Sequence, residues 1–408
     1  MDKSRISFRI CPDLVYAYTM FKRKLTQKFQ QLAKKFPILA LIGPRQSGKS
    51  TLARMVFPDY KYVSLEDLDQ REFAKNDPRS FLETYNSGVI IDEAQLVPSL
   101  FSYLQTYVDQ HNEPGQFILT GSQNFLLSEK INQSLAGRVA FLTLLPLSLQ
   151  ELADNDYQFA DYEQAIYQGF YPRIYDKEIA PLDWYPNYIR TYIERDVREI
   201  KNILDIGQFQ LFLKMCASRV GQLVNLAALA NDCGITEKTA KSWLALLEQS
   251  FITFTLKPFH ENLGKRLVKM PKLYFYDTGV VCSLLGIDNV SQIATHYAKG
   301  ALFENLIIAE LMKTRFNEGL LPNLYFWRDK LGHEIDCVIE QANKTILVEI
   351  KSGRTINKDY FIDLQYWQKL AKQNTNEANI IYGGEEKQVR NGIQVLGWEH
   401  TAKLIEFY

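Results

Sequence analysis

The sequence lacks the features that mark secreted, membrane-spanning and strongly charged proteins. Its five cysteines are scattered and form no C-x-x-C pair, which argues against a zinc site or a disulfide framework and favours the reducing cytoplasm. No apolar run approaches the roughly 18 residues that cross a bilayer, and the short run Leu14–Phe21 has no small-residue site for signal cleavage. Lys and Arg number 47, as do Asp and Glu. We therefore expect a soluble cytoplasmic protein with no membrane partner, whose other partners must be inferred from local motifs.

One stretch carries a clear chemical pattern. The apolar run Phe36–Ile42 breaks at a glycine and restarts as a helix, with the spacing Gly43-x-x-x-x-Gly48-Lys49-Ser50. In this P-loop pattern backbone N–H groups and the helix N-terminus hold the phosphates of a nucleotide. Lys49 reaches the β- and γ-phosphates, and Ser50 supplies a hydroxyl to Mg²⁺. We predict that ATP and Mg²⁺ bind at the following residues: Gly43, Pro44, Arg45, Gln46, Ser47, Gly48, Lys49, Ser50 and Thr51.

Short apolar strands alternate with helical stretches from Pro37 to Ser148. This alternation predicts a parallel sheet covered by helices on both faces, with its chemistry at the carboxyl ends of the strands. The predicted strands are Ile38–Ile42, Tyr60–Leu65, Val89–Asp92, Gln116–Thr120 and Val139–Leu144.

Two of these strands end in polar groups. The third ends in paired carboxylates, a Walker B pattern in which Asp92 holds Mg²⁺ and Glu93 polarises the attacking water. The fourth ends in small polar residues, among which Ser122 is a candidate γ-phosphate sensor. A turn or helix cap explains Ser122 almost as well.

An arginine, Arg138, stands at the start of the fifth strand. It could stabilise transition-state charge on the chain's own nucleotide or on a neighbour's. A surface ion pair explains the same residue equally well, so both interpretations stay open.

Together these motifs resemble the prokaryotic AAA-family ATPases that carry a C-terminal domain of once-unknown function. The resemblance rests on Gly43–Ser50, Val89–Gln95, Leu119–Ser122 and Leu135–Val139. Further signatures of that family are found at Gly169–Arg173 and Tyr192–Arg198. The resemblance implies ATP binding and hydrolysis, and it leaves the cellular task open.

The middle of the chain has a different character. The aromatic side chains between Glu151 and Lys201 indicate packing between helices. Residues Leu223–Pro258 then read as two helices and a strand, with Thr236 as an N-cap and Leu273–Tyr276 as a partner strand, which indicates a winged helix. Residues 198–272 hold 11 basic side chains against 6 acidic ones, whereas residues 59–113 hold 4 against 11. This asymmetry permits DNA as a partner of the middle region, although winged helices also serve as lids and subunit contacts.

The C-terminal region contains a second constellation of charged residues. Glu304 lies on a helix, Asp336 on a half-buried strand, and Glu349 and Lys351 on the returning strand, where two-residue spacing places them on one face. This order resembles the PD-(D/E)xK nuclease superfamily, in which carboxylates hold Mg²⁺ or Mn²⁺ and the lysine orients the nucleophile. The resemblance implies Glu304, Asp336 and Glu349 as metal ligands, with catalysis at Asp336, Glu349 and Lys351. Ordinary ion pairs on a solvated strand pair would have the same residues at these positions, so whether this region cleaves a phosphodiester stays open.

These patterns predict an α/β fold with a P-loop parallel sheet flanked by helices, followed by an α-rich winged-helix domain. The resemblance to the nuclease superfamily implies that an α/β restriction-endonuclease-like domain comes last. The predicted boundaries are 1–20 for an N-terminal extension, 21–150 for the ATPase core, 151–290 for the lid and winged helix, and 291–408 for the nuclease-like domain. Two functions follow: an ATP-driven enzyme acting on DNA, or an ATP-gated switch or scaffold that binds nucleic acid or protein without cleaving. An arginine offered to a neighbour suits a homo-oligomer with shared ATP sites.

Overall fold

The computed structural model describes residues 21–86, 88–111, 113–122, 135–193, 205–259, 269–341, 344–371 and 376–405. The N-terminal part of the chain alternates helices and strands: α1 (Thr26–Ala33), β1 (Ile38–Ile42), α2 (Lys49–Val56), β2 (Lys61–Ser64), α3 (Leu68–Asn76), α4 (Pro78–Thr84), β3 (Val89–Asp92), α5 (Leu100–His111), β4 (Phe117–Gly121) and β5 (Val139–Thr143). The predicted extension, residues 1–20, lies outside the described ranges.

The first five strands form one parallel sheet in the order β2-β3-β4-β1-β5. Every residue of β1, β3 and β4 is buried, which explains why these strands read as continuous apolar runs. One face packs on α1 and α2 around Leu39 and Phe29, and the other packs around Phe81 and Phe101. The predicted P-loop sheet with helices on both faces is confirmed, and it brings the carboxyl ends of β1, β3 and β4 to one edge.

The middle of the chain is mainly helical, with these elements: α6 (Leu149–Ala153), α7 (Tyr162–Gln168), α8 (Pro172–Asp176), α9 (Pro181–Tyr188), a π-helical turn (Ile189–Ile193), α10 (Ile206–Ala217), α11 (Leu226–Cys233), α12 (Glu237–Gln249), β6 (Thr253–Pro258), β7 (Lys272–Phe275), α13 (Thr278–Leu285) and α14 (Val290–Thr295). Thr236 accepts a hydrogen bond from the Thr239 backbone N–H, which confirms it as the N-cap of α12. The aromatic residues of α7 to α9 are largely buried and stack on one another, as expected for packing between helices. Of the family signature Tyr192–Arg198, residues 194–198 lie outside the described residues.

The C-terminal part contains α15 (Lys299–Asn317), β8 (Leu324–Arg328), β9 (Glu334–Gln341), β10 (Lys344–Lys351), α16 (Ile362–Ala371), β11 (Asn376–Tyr382), β12 (Gln388–Arg390) and β13 (Ile393–Gly397). Its strands form a mixed sheet in the order β12-β13-β11-β10-β9-β8-β6-β7. Strand β6 pairs in parallel with β8, so this sheet continues across the predicted boundary at residue 290. On one face of this sheet, Trp327 of β8 packs edge to face against Trp367 of α16 in a buried core.

A buried ion pair on α15 contacts the segment that follows the P-loop sheet. Lys313 Nζ lies 2.6 Å from Glu310 Oε1, and both side chains are almost fully buried. Glu310 Oε2 accepts a hydrogen bond from the Leu149 N–H at 2.7 Å. The C-terminal region is therefore joined directly to the first turn of α6. In the described ranges no helix is both long and apolar enough to cross a membrane.

Candidate nucleotide site and acidic cluster

The P-loop joins the end of β1 to the start of α2, and its conformation requires glycine at two positions. Gly43 has φ +152°, and a Cβ there would lie 2.1 Å from the carbonyl oxygen of Leu144. Gly48 has φ +92° and precedes the first residue of α2. The Ser47 hydroxyl is buried without a hydrogen-bond partner in the described chain. The loop therefore combines tight backbone turns, a helix N-terminus and an unsatisfied buried donor, a combination that fits phosphate binding.

Three predicted metal and phosphate residues meet at this edge of the sheet. The Ser50 hydroxyl donates to Asp92 Oδ1 at 2.7 Å, and Thr120 donates to the same oxygen. The Lys49 ammonium donates to the Pro44 carbonyl at 2.8 Å. Tyr62 on β2 donates to Asp92 Oδ2 at 2.8 Å. A hydroxyl and a carboxylate side by side are the oxygen donors that Mg²⁺ prefers.

Glu93 directly follows β3 in a left-handed conformation, φ +54°. The Ser122 hydroxyl donates to Glu93 Oε2 at 2.9 Å, and the Gln95 amide donates to the same oxygen. Ser122 is thus bonded to the proposed water-activating carboxylate. Its backbone position at the end of β4 agrees with the prediction, and its role as a γ-phosphate sensor stays a prediction.

We expect Ser122→Ala to slow ATP hydrolysis about tenfold, because a hydrogen bond to a charged group contributes about 1.5 kcal/mol or more. Steady-state phosphate release should show the loss mainly in kcat, since Ser122 orients Glu93. An unchanged kcat would contradict this role.

The other predicted loop residues line the same turn. Arg45 lies 3.1 Å from Glu66 and 4.0 Å from Glu93, and its carbonyl accepts a hydrogen bond from Tyr188 of α9 at 3.4 Å. Gln46 has φ +65°, and Thr51 is exposed on α2. Helix α9 therefore contacts the P-loop backbone directly.

The structure places Arg138 away from these groups. Its carbonyl accepts from Ile38 N–H at the amino end of β1, so the five residues of that strand, about 15 Å, separate Arg138 from the P-loop. Its guanidinium binds both carboxylate oxygens of Asp109 on the surface. The geometry therefore gives Arg138 a surface ion pair and no contact with the chain's own P-loop, and action on a neighbouring subunit's nucleotide stays a prediction.

Sequence analysis overlooked Arg23, which lies behind the P-loop. The buried guanidinium donates to the Ser47 carbonyl at 2.8 Å, to the Leu145 carbonyl at 2.7 Å and to Glu151 Oε1 at 3.0 Å. Glu151 is fully buried and also completes the capping box of α6 with Ser148. No local motif marks Arg23, because its three partners are distant in sequence.

The C-terminal carboxylates also lie close together. Strands β9 and β10 are antiparallel with Cys337 opposite Val348, which places Asp336 beside Glu349. Asp336 Oδ2 accepts from the Ile350 N–H at 2.8 Å and lies 3.9 Å from the Lys351 ammonium. Lys351 lies 2.5 Å from Glu349 Oε1.

The second carboxylate oxygen of Glu349 is the unusual feature of this cluster. Oε2 is buried and has no hydrogen-bond partner among the described residues. Burial raises the pKa of Glu349 well above its usual value, and the neighbouring Asp336 raises it further. An orphaned buried carboxylate oxygen beside a second carboxylate fits a divalent cation.

Glu304 differs from its prediction. Its Oε1 accepts hydrogen bonds from the Lys272 ammonium, at 2.8 Å, and from the Tyr274 hydroxyl. In the part of the chain that the structure covers, no three His, Cys, Asp or Glu side chains are arranged to hold a metal ion. The geometry therefore does not support a site in which Glu304 joins Asp336 and Glu349 around one metal.

Family models match three successive parts of the chain. Residues 35–153 match the model of an AAA domain. Residues 159–291 and 299–400 match two domains of unknown function, DUF8612 and DUF4143.

Relatives and solved structures resemble longer stretches at low identity. An uncharacterized protein of Mycobacterium tuberculosis is 29% identical over 375 residues, which cover 90% of this chain and 81% of that protein. An uncharacterized protein of Methanocaldococcus jannaschii is 23% identical over 407 residues, which cover 91% of this chain and 87% of that protein. The Walker-type ATPase of Pyrococcus abyssi is 14% identical, with a TM-score of 0.44, over 65% of this chain and 96% of that one. The AAA match and the P-loop sheet agree in position: residues 35–153 match the model of an AAA domain, and the five-stranded parallel sheet with its P-loop lies within them.

Proposed function

We propose that the protein is a Mg²⁺-dependent ATPase that acts on DNA, with a winged helix as the DNA contact and a C-terminal site that cuts a phosphodiester. The observation that supports hydrolysis best is the meeting of Ser50 and Asp92 at 2.7 Å, one residue from Glu93. In this arrangement Lys49 binds the phosphates, Ser50 and Asp92 hold Mg²⁺, and Glu93 accepts a proton from water.

The middle region supports a nucleic-acid contact. Helices α10, α11 and α12 are followed by the antiparallel pair β6 and β7, and Leu223 bridges to Lys272 before α11. This is the order of elements in a winged helix, in which α12 is the helix that enters a groove. Lys238 and Lys241 are exposed on α12. Basic side chains on that helix can contact phosphates.

The C-terminal site supports metal-assisted cleavage. A divalent cation bound there would activate water and stabilise charge on the phosphate. Asp336 and the orphaned oxygen of Glu349 would hold it, and the Lys351 ammonium, between these two carboxylates, would orient the nucleophile. The competing proposal is an ATP-gated scaffold whose C-terminal domain binds nucleic acid or protein without cleaving. The ion pairs already present in the cluster favour that alternative.

We expect the purified protein to cut DNA only with Mg²⁺ or Mn²⁺, and Asp336→Asn and Glu349→Gln to reduce cutting to background because each removes a ligand. The substrates are linear, branched and single-stranded DNA, with and without ATP, and products are separated on gels. Glu340→Gln, an exposed residue near the end of β9, is the matched control and should cut like the parent. If the parent hydrolyses ATP and Lys49→Ala does not, yet no substrate is cut, the scaffold proposal replaces the nuclease.

A further inference from the structure

A lysine from the middle region lies inside the C-terminal acidic cluster, which consists of Glu304, Glu334, Asp336 and Glu349. Lys272 is the first residue of β7, and its side chain is 4% exposed. Its ammonium lies 2.8 Å from Glu304 Oε1, contacts Glu334 and lies 3.9 Å from Asp336 Oδ1. The cluster therefore already contains a cation, supplied by a strand some thirty residues or more away in sequence.

The position of Lys272 is fixed by the backbone on both sides of it. Strand β7 pairs with β6, where Lys272 lies opposite Leu256, and Lys272 forms a bridge with Leu223 on its other side. The following residue, Leu273, donates to the Gln222 carbonyl and accepts from the Gly221 N–H. The ammonium is thus held by a paired strand rather than by a surface loop.

Asp336 divides the cluster into two halves. Its Oδ1 lies 3.9 Å from Lys272, which also binds Glu304, whereas its Oδ2 lies 3.9 Å from Lys351, which also binds Glu349. In the first half the carboxylates share a buried ammonium. In the second half Glu349 Oε2 keeps no partner among the described residues. Among the described residues, the second half therefore offers a fully buried carboxylate oxygen without a partner to a divalent cation.

We propose that Lys272 is a resident cation that takes the place of a second divalent ion beside Glu304 and Asp336, so that the site accepts a single divalent ion, at Asp336 and Glu349. This inference deepens the proposed nuclease site and rests on that proposed function for the ion at Asp336 and Glu349. Lys272 is a positioning residue in this scheme, since it pairs with Glu304 and Glu334 and orients Asp336. A buried carboxylate cluster deprived of its cation must bind another cation or take up protons, because unpaired buried charge is strongly unfavourable.

The test counts Mn²⁺ ions. Isothermal titration of the full chain in ATP-free buffer is carried out on the parent, on Lys272→Met and on the double variant Lys272→Met with Glu304→Gln. Lys257→Met, which removes an exposed lysine from β6, is the matched control. We expect Lys272→Met to bind one more Mn²⁺ than the parent and to gain more in unfolding temperature when Mn²⁺ is added, because an ion that binds the folded state stabilises it. Lys257→Met should behave like the parent.

The double variant keeps the test decisive if the single variant folds poorly. Removing one cation and one anion together should restore folding without metal and abolish the additional Mn²⁺. Equal Mn²⁺ counts in parent and Lys272→Met, or a single variant that stays unfolded with Mn²⁺ as without it, would overturn the inference. A parent that binds no Mn²⁺ while Lys272→Met binds one would instead count against the proposed nuclease and leave the role of Lys272 standing.

Discussion

Replacing Glu93 by glutamine is expected to slow ATP hydrolysis by about 10²- to 10⁴-fold, the usual contribution of a general base. The amide cannot accept a proton from water, but it keeps the size of the side chain. Lys49, Ser50 and Asp92 remain in place in this variant, so nucleotide binding should persist. Phosphate release gives the rate, and calorimetry with ATP gives the affinity.

The control for this variant is Glu113→Gln. Glu113 is exposed and precedes β4, at the edge of the sheet opposite the P-loop. The Glu113→Gln variant should therefore hydrolyse ATP like the parent. A Glu93→Gln variant that turned over ATP at the parent rate would require a different residue to activate water. Gln95 and Ser122, which both donate to Glu93, would then be the first positions to test.

Replacing Arg23 by methionine is expected to destabilise the ATPase region by about 3–5 kcal/mol, because it leaves the buried carboxylate of Glu151 without its partner. The same substitution removes the donors to the Ser47 carbonyl in the P-loop and to the Leu145 carbonyl, two residues beyond β5. Urea unfolding measures the loss. ATP affinity should fall as well, since the loop that binds phosphate would no longer be held.

The adjacent residue provides a matched control. Lys24 pairs with Asp154 on the surface, where both side chains are more than a third exposed. Lys24→Met should therefore change the free energy of unfolding by no more than about 1 kcal/mol. If Arg23→Met unfolded at the same urea concentration as Lys24→Met, the buried network would not be a structural link.

Much of the fold could be predicted because local patterns determine it. The run Ile38–Ile42 is apolar because both faces of its strand are covered. Position 43 requires glycine because a Cβ there would lie 2.1 Å from the Leu144 carbonyl oxygen. The paired carboxylates at Asp92 and Glu93 mark a strand end by themselves. Their approach to Ser50 follows from the parallel sheet, in which the carboxyl ends of strands share an edge.

The partners that cross long stretches of sequence could not be predicted. Arg23 reaches residues more than 120 positions away, and Lys272 enters a cluster built by α15 and β9. A single basic residue next to a strand looks the same whether it faces solvent or a buried carboxylate. Arg138 illustrates the reverse case: its position at a strand start left catalysis and a surface ion pair equally open, and the direction of the strands places it at the far edge of the sheet from the P-loop.

The pairing of β6 with β8 limits how this chain can be divided. Separating residues 291–408 from the rest would remove β6 and β7 and leave one side of β8 with unpaired backbone groups. Exposed strands of this kind add to one another between molecules and lead to aggregation. It would also leave Glu304 and Asp336 without Lys272. The C-terminal region is therefore poorly suited to exchange as a free-standing module, and the middle and C-terminal segments should be inherited, expressed and engineered together.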